Sequence, residues 1–258
     1  MGRAGAAPIG AAASVGPDER EWTMTLDDTC VIVTGASGNL GSAVVRVLAR
    51  RGARVVGVDR TEPRTDPVAD APDPDRVLRI GGCDLSVGGA MDRVVAAAQA
   101  RFGAVTGLVN TVGGYATGRV TTEALDQWDR MMRLNARVAL VTSAAVLPAM
   151  VAAGQGRIVH VAAQPGLKAA AGQAAYAASK AAVIRLVEAI AAEHRGDRIT
   201  ANCILPGTID TPPNRAAMPT APRDAWIPPE AIAELIAFLL SPAGAVVTGA
   251  AIPATGLI

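Results

Sequence analysis

Residues 30–41 read CVIVTGASGNLG, a short β-branched run that ends in a glycine-punctuated turn. An apolar helical pattern starts at once, over residues 42–50. This is the layout of a first strand feeding a phosphate-binding turn. Gly35, Gly38 and Gly41 recur at every third position. Glycine suits them because the chain must turn tightly and let a pyrophosphate approach its backbone, which a Cβ would obstruct. The helix start then offers unpaired N–H groups and a partial positive charge to the anion. The spacing is G-x-x-G-x-x-G rather than G-x-G-x-x-G, and alone it suits a purely structural strand-to-helix turn equally well.

The next segment favours the nucleotide. Residues 53–58, ARVVGV, read as a second buried strand that ends in Asp59. A carboxylate about 20 residues past the turn is placed to accept hydrogen bonds from the adenosine ribose. It would also repel the extra phosphate of NADP, so NAD is the expected cofactor, with the neighbouring Arg60 as the opposing feature. The alternative is a solvated carboxylate at a strand end.

The chain has 258 residues, 50% of them hydrophobic, enough for one large core. Lys and Arg number 24 against 23 acidic residues, a net charge of +1 without a basic run, which argues against nucleic acid or an anionic membrane as partner. Only 3% of residues are aromatic, too few for a base-stacking platform. Cys30, Cys83 and Cys203 lack metal-ligand spacing and read as buried thiols of a cytoplasmic protein; no metal site is expected. Residues 1–23, rich in Ala, Gly and Pro, read as a disordered extension rather than a signal peptide, with the domain spanning 24–258. The uncharged run between Arg137 and Arg157 approaches membrane-spanning length, yet its polar residues and its βα surroundings point to a buried or interface helix.

Further along, strands are expected at 76–82, 107–112, 157–162, 199–205 and 245–252, with helices at 88–102, 121–134, from about 135, 173–194 and 229–240. Leu125, Trp128 and Met132 mark the inner stripe of the helix at 121–134. Residues 207–228 hold five prolines and no period, and read as a structureless substrate loop. Alternation at this rate implies an α/β fold with a doubly wound parallel sheet of about seven strands, its ligands beyond the carboxyl ends of the strands. Asp84, at one such end, is placed for the adenine amino group or for a helix N-cap. His160 and His194 have no partner that suggests a metal.

Tyr176 and Lys180 stand i, i+4 on a predicted helix and share one face. An ammonium beside the phenol would lower its pKa from about 10 and fit it for acid/base work, unless the two are an ordinary surface pair.

Thr34 to Gly41, Asn110-Thr111-Val112-Gly113, Asn135, Tyr176-Ala-Ala-Ser-Lys180 and Pro206-Gly207-Thr208 fall in the order of the short-chain dehydrogenase/reductase family, which residues 25–256 resemble. The resemblance implies a single-domain Rossmann fold, an NAD(P) cofactor and hydride transfer to or from a small carbonyl, imine or quinonoid compound. It implies Tyr176 as acid/base, Lys180 as its partner and a ribose contact, and Asn135 as holder of a proton-relay water. Ser37, Asn39, Leu40, Leu85, the 110–113 stretch and Pro206 to Ile209 would line the cofactor. A homodimer or homotetramer built on helices 135–153 and 173–194 is also implied.

The chain departs from the family where a catalytic serine would stand, thirteen residues before the tyrosine: that position is Ala163. A missing donor to a developing oxyanion costs on the order of 3 kcal/mol, or about 10²-fold in rate. Gln164 or a water could supply it, the substrate could dispense with it, or the protein binds cofactor and turns over little. Alanine there, together with the stretch around Asp210 to Arg215 and on to Trp226, is similar to the dihydropteridine reductase branch. Arg215 and Trp226 are the candidate substrate contacts of that loop.

Overall fold

A computed structural model describes residues 23–27, 29–62, 73–121 and 124–256. The expected disordered extension, up to residue 22, and most of the proline-rich stretch after Asp59 lie outside them. Strand β1 (Cys30–Thr34) is buried at every position. Such an uninterrupted apolar run belongs in a parallel sheet covered on both faces. Around it lie β2 (Arg54–Val58), β3 (Val77–Ile80), β4 (Gly107–Asn110), β5 (Gly156–Val161), β6 (Ile199–Pro206) and β7 (Ala251–Ala254). The sheet runs β3-β2-β1-β4-β5-β6-β7, every pairing parallel. Chain direction along the sheet reverses between β1 and β4, which opens the ligand crevice at their carboxyl ends.

Helices α1 (Asn39–Arg50) and α7 (Pro229–Leu240) pack together on one face, around Val31, Val33, Val109, Val159 and Ile204. Helices α2 (Ala90–Phe102), α4 (Val138–Ala153) and α5 (Ala174–Glu193) cover the other, around Ile32, Leu108, Ile158 and Cys203. Alternate residues of one strand thus feed two separate cores, as the two-residue repeat requires.

Four expectations need correction. Helix α3 (Leu125–Met131) continues through a π-helical turn (Met132–Arg137) into α4, a single 29-residue helix rather than two. Leu125 and Trp128 are exposed, and burial falls one position away, on Met131, Asn135, Val138 and Ala139. The buried face carries a polar asparagine, so apolar period alone marked the wrong stripe. This helix is long and apolar enough to cross a membrane by length and composition; 33% of its most apolar window is buried inside the chain.

The 207–228 loop is not structureless. It contains α6 (Pro212–Ala217), started by paired prolines and capped by Thr211, whose Oγ1 accepts from Asn214 N. Proline suits the first turn of a helix, where its missing N–H costs nothing. An Ile209–Ile227 bridge closes the loop's ends. Finally, residues 242–246 form a 3₁₀ turn and the last strand comes later than expected, as an edge strand that tolerates Pro253.

Candidate active site

The turn after β1 closes on itself. Gly35 has φ +71°, a conformation costly for any residue with a Cβ, and its N–H donates to Val58 O at 2.8 Å. A Cβ on Gly41 would sit 2.0 Å from Gly35 O, so α1 reaches the turn only because that side chain is absent. Gly38, extended, is the helix N-cap and brings no side-chain cap, which leaves first-turn N–H groups open toward the crevice. Asp59 reaches back from β2: its carboxylate accepts from Ser37 N (3.0 and 3.1 Å) and Ser37 Oγ (2.8 Å) and is almost wholly buried. It therefore also fastens the turn, a role its strand-end position did not disclose.

Above the turn opens a cavity of about 630 Å³. Of the expected cofactor residues, Gly35, Ser37, Gly38, Asn39, Leu40, Gly41, Asp59, Asp84, Leu85, Thr111, Val112, Gly113 and Ile209 line it. Thr61, Ser86, Leu134, Val138, Thr211 and Asn214 line it too and were not anticipated. A cradle of glycines, open helix N–H groups and a carboxylate at the rim fits a dinucleotide. Asp84 makes no N-cap, since α2 starts from Gly89; its Oδ1 accepts from Ser86 N and Oγ at 2.9 and 2.7 Å, which lowers its pKa.

Asn110 does not line this cavity. Its side chain is buried and spent on a polar ladder across the strand tips. Thr34 Oγ1 donates to Asn110 Oδ1 (2.6 Å), Asn110 Nδ2 meets His160 Nδ1 (3.2 Å), and His160 Nε2 meets Ser143 Oγ on α4 (2.8 Å). Burial, with the Lys180 charge second, drives the imidazole pKa down to about 3, so it is neutral. His160 thus has partners on both nitrogens. His194 pairs with Asp197 at 2.8 Å.

Tyr176 and Lys180 lie one turn apart on α5, below Gly113. A Cβ on Gly113 would come within 2.8 Å of Asn135 Oδ1 and 3.1 Å of Lys180 Nζ, so this glycine joins the cavity to the lysine. Lys180 is buried and donates to Val161 O at 2.8 Å; burial brings its pKa down to about 8. The phenol departs from expectation. Its pKa is pushed up to about 12, first by burial and then by Tyr115, not down by the ammonium. Tyr115 sits edge-to-face on it, centroids 4.8 Å apart. It follows Gly113-Gly114 directly and is one of two tyrosines in the chain, a signal the sequence reading passed over.

Asn135 occupies the π-helical turn, a local widening frequent at functional sites. Its side chain is buried, bonded to Gly114 N and O (2.9 and 3.1 Å) and to Ser179 Oγ (2.9 Å), which in turn donates to Tyr176 O (2.7 Å). With both amide ends engaged it positions α5 against the 113–115 turn.

Ala163 is buried at the end of β5 and leads into a 3₁₀ turn that starts at Gln164. Pro206, Gly207 and Thr208 do not line the 630 Å³ cavity; Gly207 N and Thr208 O bond to Ala254 O and Ile227 N. Arg215 clasps Asp210 in a bidentate pair at 2.5 and 2.7 Å. Trp226 is half-buried, with the Arg223 guanidinium 6.0 Å above its ring. Cys30, Cys83 and Cys203 are free and buried. Among the described residues, no group of three or more His, Cys, Asp or Glu could hold a metal ion.

The family model described as short chain dehydrogenase matches residues 29–221. A 2-(R)-hydroxypropyl-CoM dehydrogenase of Xanthobacter autotrophicus is 35% identical over 187 residues, 70% of this chain and 74% of its own. The 3-oxoacyl-[acyl-carrier-protein] reductase FabG of Vibrio cholerae is 32% identical over 245 residues, 90% and 98% of the two chains. Among solved structures, levodione reductase superposes with a TM-score of 0.81 at 27% identity, covering 90% of this chain and 97% of that one.

Proposed function

The chain belongs to the short-chain dehydrogenase family, and on that premise we propose that it is an NAD(H)-dependent oxidoreductase interconverting an alcohol, amine or reduced ring with a small carbonyl, imine or quinonoid compound. The observation that carries this reading is Gly113, which lines the glycine-rich cavity on one side and on the other leaves no room for a Cβ beside Asn135 Oδ1 and Lys180 Nζ. A bound nicotinamide would supply or accept the hydride. Tyr176 then gives the proton to, or takes it from, the substrate oxygen or nitrogen. Lys180, held at Val161 O, lies on the same face of α5 to stabilise the phenolate left behind.

Asp59 supports NADH over NADPH, because a ribose phosphate would meet a carboxylate already fixed by Ser37. The relatives' names, with their hydroxypropyl and 3-oxoacyl groups, support an alcohol–ketone pair. Ala163 keeps a quinonoid dihydropterin within the class, since a ring nitrogen needs no oxyanion donor. The exposed Leu140 and Val151 of the long helix support a homodimer or homotetramer formed through helices 135–153 and 173–194.

The test is single-turnover NADH oxidation against a panel of ketones and quinonoid dihydropterin, with native protein and Tyr176→Phe. Turnover lost in the variant, with NADH binding kept, supports the reading. A second reading, a cofactor-binding protein with little turnover, is favoured by Ala163 and by the elevated phenol pKa. NADH binding without oxidation anywhere in the panel would select it.

A further inference from the structure

At the opposite, amino-terminal edge of the sheet lies a second cavity of about 400 Å³. Thr106, Arg157 and Arg198 form its polar side, and Leu240 and Val246 its apolar side. Arg157 on β5 stands beside Thr200 on β6 in register, with side chains toward the same face. Arg157 Nε and Thr200 Oγ1 are both buried and both without a hydrogen-bond partner. Arg157 Nη1 is spent on Gly156 O (2.8 Å) and Arg198 O (3.0 Å). Among the described residues, no carboxylate pairs with either guanidinium. Burial and the like charge of Arg198 both depress the Arg157 pKa. A half-buried cation with a second cation as neighbour and no carboxylate partner among the described residues is a costly arrangement that an anion beside the guanidinium groups would relieve.

Arg198 adds an independent observation. It has φ 59° and ψ 31°, the left-handed region, and among the described residues it is the one non-glycine with positive φ. Glycine would adopt this turn freely, whereas a side chain there is strained. Strain kept at one position points from geometry toward use. Thr106 adds a donor, because its Oγ1 already accepts from Cys30 N and its proton is left to give.

We infer that Arg157 and Arg198 form a binding site for the phosphate of an organic phosphate, whose apolar body lies along Leu240 and Val246. Thr106 supplies a neutral hydrogen bond, and the two guanidinium groups supply charge and a planar fork of donors suited to phosphate oxygens. The site lies on the far edge of the sheet from the dinucleotide crevice, so the two ligands do not compete.

The experiment is thermal unfolding of the full chain, saturated with NADH, in chloride buffer with inorganic phosphate or phenyl phosphate added. Both anions are expected to raise Tm by about 2–4 °C at saturation, phenyl phosphate at the lower concentration. In Arg198→Gly the protein is expected to melt in chloride no lower than native, since the strain is gone, yet to lose the phosphate shift. Arg157→Gln should lose it too. No shift in native protein, or an equal shift in both variants, overturns the proposal. Phosphate acting alone, with phenyl phosphate no better, overturns the organic body. Repeating the native measurement without NADH separates this result from any failure of cofactor binding.

Discussion

The rings of Tyr115 and Tyr176 meet edge to face, their planes inclined by 82° and their centroids 4.8 Å apart. The chain has no third tyrosine, so the contact can be followed by absorbance alone. Because Tyr115 helps to hold the neighbouring phenol near 12, Tyr115→Phe should lower the pKa of Tyr176 while leaving it above the free value of about 10, since burial remains. Alkaline titration at the phenolate band reads this single residue. An unchanged or higher value would contradict the assigned cause.

Restoring a hydroxyl at Ala163 is the converse experiment. If the substrate is a ketone, Ala163→Ser should raise kcat by about 100-fold, the usual worth of one oxyanion donor. If the reacting atom is a ring nitrogen, kcat should barely change. Steady-state kinetics on the two substrate classes distinguishes them.

Asp59 has two duties, and substitution separates them. Asp59→Asn should shift the NADPH to NADH ratio of kcat/KM upward by about tenfold or more through loss of repulsion. Ser37→Ala should weaken both cofactors alike, because it removes the side-chain anchor of the carboxylate (2.8 Å), leaving the backbone one, without altering charge.

Gly41→Ala would force a methyl group onto Gly35 O. The clash is of a Cβ against fixed backbone and no rotamer relieves it, so Tm should fall by several degrees, at about 2–4 °C per kcal/mol. NADH binding, followed by fluorescence, should fall further than stability does.

His160 sets the acid limit. Its folded pKa of about 3 lies below the unfolded value of 6.5, so the unfolded chain binds the extra proton between them. Stability is then full above pH 6.5 and declines as pH falls toward 3, by an amount on the order of a few kcal/mol. His160→Gln should flatten that limb in urea melts at pH 4–7, whatever it does to stability at neutral pH.

Strands and crossovers were legible because each is a run of apolar residues bounded by glycine or proline, and a parallel sheet buries such runs on both faces. The glycine turn, Asp59 and the Tyr176–Lys180 spacing were legible for the same reason: each is local. What escaped is tertiary. The partners of Asn110, Asn135 and Asp59 lie far away in sequence, and no spacing rule connects position 110 with 34 and 160 or 135 with 179. The helix at 212–217 hid behind prolines that resemble breakers when no helix is suspected. The expected lowering of the phenol pKa failed because burial and a second phenol outweigh an ammonium already engaged by Val161 O.

The ladder from Thr34 through Asn110 and His160 to Ser143 has a fixed polarity. Asn110 Oδ1 takes the threonine proton, so its amide nitrogen must give, and the imidazole accepts at Nδ1 and donates at Nε2. Reversing any one member would set two donors or two acceptors face to face in the interior. The wire is therefore complete only when three strands and helix α4 stand in one register, so its polarity ties their alignment together from inside.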